Sequence, residues 1–177
     1  MVTARPKPSP QLQRWLLQAN SLTRCLRSLH GTSFRVELLD LSWRTASGEE
    51  ARVLGLPRRE RLLVREVLLL GAGQPLVFAR SLLPVRTLRG RHQQLARLGS
   101  RPLGELLFTD KRICRGNRET AQLIPTTELY RQAAASAILG ELPLWARRTP
   151  FHLDSGPIVV IECFLPAITT QSPPREQ

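Results

Sequence analysis

Residues 61–84 read RLLVREVLLLGAGQPLVFARSLLP. Two apolar runs, 61–70 and 76–84, flank GAGQP (71–75), a pattern of strand, tight Gly/Pro turn and returning strand. Both runs are apolar on both parities, so these strands need cover on both faces, or one face closed over a ligand cavity. Working outward, FRVELLDLSW (34–43) is extended, and PIVVIECFLPAI (157–168) is a final β-branched run stopped by Pro166. Leu12, Trp15 and Leu16, then Leu22, Leu26 and Leu29, recur at helical spacing around a break and cap at Asn20-Ser21. GRHQQLARLGS (90–100) is a short helical pattern ending at Gly99. Ser100 is placed to cap RPLGELLF (101–108), with Pro102 in its first turn. TTELYRQAAASAILG (126–140) has helical composition and a glycine stop at Gly140. Strands joined by hairpin turns, with helices before and between them, make an antiparallel α+β domain rather than alternating βαβ units.

The 177 residues fit one domain. Residues 1–10, with Pro6, Pro8 and Pro10, are expected as a flexible N-terminal segment, residues 11–168 as the folded domain, and 169–177 as a flexible tail. Hydrophobic residues at 42% and charged residues at 23% argue against a disordered chain or a membrane bundle. No secretory h-region or membrane span is readable, so the chain is expected in the cytoplasm, without a membrane partner. Lysine and arginine total 26 against 14 acidic residues, a net charge of +12. Such a surplus suits a polyanion, an anionic lipid surface or a small anionic ligand. Aromatic content is only 5% and no nucleic-acid-binding motif appears, so nucleic acid is not the expected partner.

Two charges interrupt apolar strands. Arg65 shares a strand face with Leu63 and Val67, and Glu162 shares parity with Val160 and Phe164. A buried charge needs a partner. Arg65 can pair with Glu66 or Glu162 as a structural bridge, or the two can mark a ligand site; the sequence leaves both open. Arg147 and Arg148 read as solvated, and Arg80 as the arginine most apt to be an exception. His30, His92 and His152 have no second ligand at metal spacing, and Cys25, Cys114 and Cys163 form no CxxC pair, so no metal site or disulfide is expected. No GxSxG, P-loop or dinucleotide fingerprint is present.

LLVREVLLLGAGQPLVFARSLLP (62–84), LARLGSRPLGELLF (95–108) and LWARRTPFHLDSGPIVVIECFLPA (144–167) closely resemble, in the same order, segments of the chorismate pyruvate-lyase family, and WLLQANSLTRCLR (15–27) is similar to that family's opening helices. The resemblance covers most of residues 12–168. It implies a single-domain antiparallel sheet with short helices forming flaps over an internal ligand cavity. It also implies a cofactor-free, monomeric lyase that cleaves chorismate to pyruvate and 4-hydroxybenzoate for quinone or related aromatic biosynthesis. On that resemblance, Arg65 matches the arginine that binds the ring carboxylate and Glu162 the glutamate at the ring hydroxyl. Leu22 and Leu103 match two flap positions that line the ligand, and Arg80 matches a further pocket arginine. The alternatives are a non-catalytic sensor of the same fold, as found in bacterial transcription regulators that carry a DNA-binding winged helix upstream, and an Arg-rich nucleic-acid-binding protein, which rests on charge alone. The roughly thirty residues before the first strand are too few for a winged helix. Residues 116–144 are longer than the matching connection in compact bacterial members.

Overall fold

The structure, a computed structural model, describes residues 7–137 and 142–174. Among these, seven antiparallel strands form one sheet: β1 (Arg35–Thr45), β2 (Arg61–Gly71), β3 (Gln74–Pro84), β4 (Cys114–Arg115), β5 (Glu119–Gln122), β6 (Trp145–Leu153) and β7 (Gly156–Phe164). Their order is β1-β2-β3-β7-β6, and β6 pairs on its far side with both β4 and β5. Five α-helices accompany the sheet: α1 (Pro10–Leu17), α2 (Leu22–His30), α3 (Gly48–Leu54), α4 (Leu103–Thr109) and α5 (Glu128–Ser136). The molecule is thus the expected single-domain α+β fold.

The β2–β3 hairpin forms as the sequence predicts. Gly71 pairs with Gln74, leaving Ala72 (φ 50°) and Gly73 (φ 77°) as a two-residue turn whose positive dihedrals match the twist of the strands. At Gly71 a Cβ would lie 2.5 Å from the His30 ring, so the end of α2 packs closely on the hairpin and any larger residue there would displace that side chain. Ser21 caps α2 as expected, accepting from the Arg24 amide. Ser9 does the same for α1.

Several local features differ from the sequence reading. Residues 90–97 form a 3₁₀-helix, and Ser100 caps nothing; Pro102 takes the cap position of α4. α3 is unforeseen because its seven residues hold little periodicity, although a Ser47/Glu50 capping box starts it. β6 is not readable as a strand from the sequence, because Arg147, Arg148 and Pro150 break its apolar alternation. Within 116–144, β5 and α5 form, while the expected stop at Gly140 lies outside the described residues.

Both faces of the sheet are covered, which explains the two-sided apolar strands. On one face Trp15, Leu16 and Leu26 pack against Val67, Leu69, Ala79 and Phe164, and Leu95, Leu103 and Leu107 pack near Leu63, Leu83 and Phe151. On the other, α5 covers Leu68, Phe78 and Cys163, and α3 covers Leu62, Val64, Leu82 and Val159. Trp15 is fully buried, with its Nε1 donating to Gln171 O at 2.8 Å.

Cys25 and Cys163 are buried and Cys114 is exposed; burial pushes the Cys163 thiol up to about 12. Native protein is therefore expected to react with an aromatic disulfide reagent at Cys114 alone, and denatured protein at all three cysteines. Rapid modification of Cys163 in the native state would contradict this packing.

Candidate active site

Strand alternation decides which charges meet. On the face beneath α2 and α4, β2 presents Arg65, β3 presents Ala79 and Ser81, β7 presents Val160 and Glu162, and β6 presents Arg147 and Thr149. These residues floor a cavity of about 50 Å³. Its roof is Ser21–Thr23 at the start of α2 and Pro102–Gly104 at the start of α4, with Phe108 beyond. The two helix starts touch closely: a Cβ on Gly104 would lie 3.2 Å from Ser21 Oγ. An Arg27–Glu105 ion pair joins the same two helices.

Arg65 is 2% exposed and, among the described residues, has no carboxylate partner. Instead Nη2 donates to Gly99 O and Arg101 O, both at 2.8 Å, and Nε donates to Gly99 O at 3.2 Å. These bonds pin the loop leading into α4 and leave the Nη1 donors to a ligand. Burial lowers the Arg65 guanidinium to about 10. Because its affinity for the proton is lower folded than unfolded, the charge costs stability across the neutral range. That cost is relieved only as pH rises through about 10. A bound anion would offset the same cost.

Neither bridge considered for Arg65 forms. Glu162 is held by Arg147, directly opposite it in the β6–β7 register, through Nε–Oε2 and Nη2–Oε1 contacts, the latter 3.2 Å. Arg147 Nη1 also donates to Trp15 O and Gln18 O at 3.1 and 3.0 Å. The expectation that Arg147 is solvated is wrong; it is 3% exposed. The signal was a strand position opposite Glu162, legible only once β6 and β7 are known to pair.

The structure brings together Arg65, Glu162, Leu22 and Leu103, but not Arg80. Correcting the expectation for Arg80, its side chain lies on the opposite sheet face with Phe78 and Leu82, because it differs by one residue from Ala79 and Ser81. There its Nε donates to Glu66 at 2.8 Å, and Glu128 lies 3.4 Å away. That face carries a larger cleft, about 440 Å³, between α3 and α5. Its arginines are paired within it: Arg44 with Glu50, Arg80 with Glu66, Arg148 with Glu119. The smaller cavity, with its unpaired buried guanidinium, is the better site for an anion. No cluster able to hold a metal occurs among the described residues.

A sheet-floored cavity roofed by two helix starts, lined by a buried guanidinium without a carboxylate partner among the described residues and by a carboxylate on β7, marks a candidate site in an antiparallel α+β domain. Similarity to known proteins narrows that class, because the sequence pattern of the chorismate lyase family matches residues 4–173. A Methylobacillus flagellatus protein named a probable chorismate pyruvate-lyase is 41% identical over 154 residues, 87% of this chain and 86% of its own length. A Thiobacillus denitrificans protein of the same name is 43% identical over 159 residues, 90% and 84%. The chain belongs to the chorismate lyase family. Among solved structures, the effector domain of PhnF from Mycobacterium smegmatis superposes with a TM-score of 0.62 at 18% identity, covering 85% of this chain and 91% of that domain. The ligand-binding domain of a putative GntR-family regulator from Bordetella bronchiseptica gives 0.56 at 19%, covering 75% and 84%. At such identity the likeness is one of fold alone.

Arg80→Ala would leave Glu66 buried without its partner. The expected result is a loss of about 3–5 kcal/mol in urea unfolding. A loss under about 1 kcal/mol would mean that the pair contributes little to the fold.

Proposed function

We propose that the chain is a cofactor-free chorismate lyase that releases pyruvate and 4-hydroxybenzoate. The observation that carries this reading is the buried, carboxylate-free Arg65 in the same cavity as Glu162, in a chain about 40% identical to relatives named as probable chorismate pyruvate-lyases. Arg65 Nη1 binds the ring carboxylate, with charge-assisted hydrogen bonds worth about 1.5–3 kcal/mol each. Glu162, fixed by Arg147, accepts from the ring hydroxyl. Leu22 and Leu103, the first residues of α2 and α4, enclose the ring and present main chain to it.

The ring–oxygen bond breaks with its electron pair going to the departing enolpyruvate. Loss of a ring proton completes the aromatic system, and enolpyruvate takes up a proton on carbon to become pyruvate. Aromatisation supplies the driving force. The protein's share is orientation and stabilisation of charge on the leaving group. No protein base is required, since the proton can pass within the substrate or through water. A cavity of about 50 Å³ is far below the few hundred Å³ of ordinary ligand sites, so α2 and α4 must separate to admit substrate. We place the enzyme in the cytoplasm as a monomer, its aromatic product feeding quinone synthesis.

The fold likeness to regulator effector domains favours a second reading, a ligand sensor without turnover. Purified protein incubated with chorismate separates the two: release of pyruvate and 4-hydroxybenzoate in equal amounts is expected, and binding without release would establish the sensor. Arg65→Ala is expected to raise KM by roughly 10- to 100-fold, from the loss of about 1.5–3 kcal/mol of anion binding. An unchanged KM in this variant would remove Arg65 from the carboxylate site.

A further inference from the structure

The cavity holds charge beyond what one carboxylate needs. Arg147 is neutralised by Glu162, and Arg65 is matched to the ring carboxylate by the reading above. Arg115, on β4, also lines this cavity, as does Arg118, which is engaged in an interaction within the protein. Among the described residues Arg115 has no carboxylate within ion-pairing distance. Its guanidinium donates to Ala19 O in the connection between α1 and α2, and its Cζ lies 5.7 Å from the centre of the Phe108 ring on α4. Arg115 therefore stands where the two roof elements meet the sheet edge, exposed to solvent.

Sheet order places the two guanidiniums at opposite ends. Arg65 enters from β2 and Arg115 from β4, with Glu162 on β7 between them. Chorismate is a dianion with one carboxylate on the ring and one on the enolpyruvyl side chain. Cleavage divides them: hydroxybenzoate keeps the first and pyruvate leaves with the second.

We infer that Arg115 binds the enolpyruvyl carboxylate, so that it recognises substrate and not the aromatic product. This inference rests on the chorismate reading. With the ring carboxylate at Arg65 and the hydroxyl at Glu162, the side chain extends toward the mouth, where Arg115 supplies a charge-assisted donor. The same interaction lies beside the oxygen that receives the electron pair, so it stabilises the departing enolpyruvate. After cleavage pyruvate holds the only group Arg115 reads, and the aromatic ring is retained by Arg65 and Glu162 alone.

The test compares wild type with Arg115→Gln and Arg115→Lys in chorismate turnover and in inhibition by 4-hydroxybenzoate. For Arg115→Gln, a rise in chorismate KM of about tenfold or more is expected, with the hydroxybenzoate inhibition constant within about twofold of wild type. Arg115→Lys, which keeps the charge, is expected to recover part of the loss. If both constants rise together, Arg115 only orders the roof through Ala19, and the inference fails. An unchanged KM in Arg115→Gln, with a wild type that turns over, also overturns it while sparing the chorismate reading. No turnover by folded wild type overturns both. Should Arg115→Gln not fold, Arg115→Lys carries the test: a raised chorismate KM with the hydroxybenzoate inhibition constant within about twofold of wild type supports the inference, and a KM risen in step with the inhibition constant refutes it.

Discussion

A guanidinium sealed beneath two helix starts, with carbonyl oxygens in place of a carboxylate, is the constraint around which the rest of this molecule is arranged. Three hydrogen bonds from Arg65 to Gly99 and Arg101 satisfy donors that could not otherwise stay buried, and they set where α4 begins. They do not neutralise the charge. The fold therefore keeps a buried cation among apolar and polar residues, where a charge interacts more strongly than in water. A neighbouring carboxylate would stabilise the isolated protein and occupy the site. Glu162 does not play that part because Arg147 holds it.

The sheet distributes its buried charges by parity. Glu66 and Arg65 are adjacent in sequence yet point to opposite faces, so each finds a different environment. Glu66 meets Arg80 across the β2–β3 pair and forms a closed, structural bridge. Arg65 meets Ser81 and remains available. One residue of offset separates a charge paired with a carboxylate from one paired only with backbone carbonyls.

Much of this was legible in the sequence. The hairpin, its turn, the first two helices and the last strand follow from apolar period and turn chemistry, and the two charge anomalies, Arg65 and Glu162, line one cavity. What escaped detection depended on pairing. Alternation along β3 alone cannot assign Arg80 to a face, because both of its parities are apolar. β6 reads as charged because Arg147 and Arg148 serve opposite faces, one with Glu162 and one with Glu119. Arg115 sits on a two-residue strand with no hydrophobic pattern to mark it. Such positions acquire meaning only from neighbours distant in the chain.

The contacts of Arg147 with Trp15 O and Gln18 O have a consequence for cooperativity. These carbonyls end the first helix, where unsatisfied acceptors and the negative end of the helix dipole favour a cation. One side chain thus closes an N-terminal helix and orients a carboxylate near the other end of the chain. The end of α1 and the position of Glu162 therefore share one side chain, and α1 acquires this anchor only when the β6–β7 hairpin is in place.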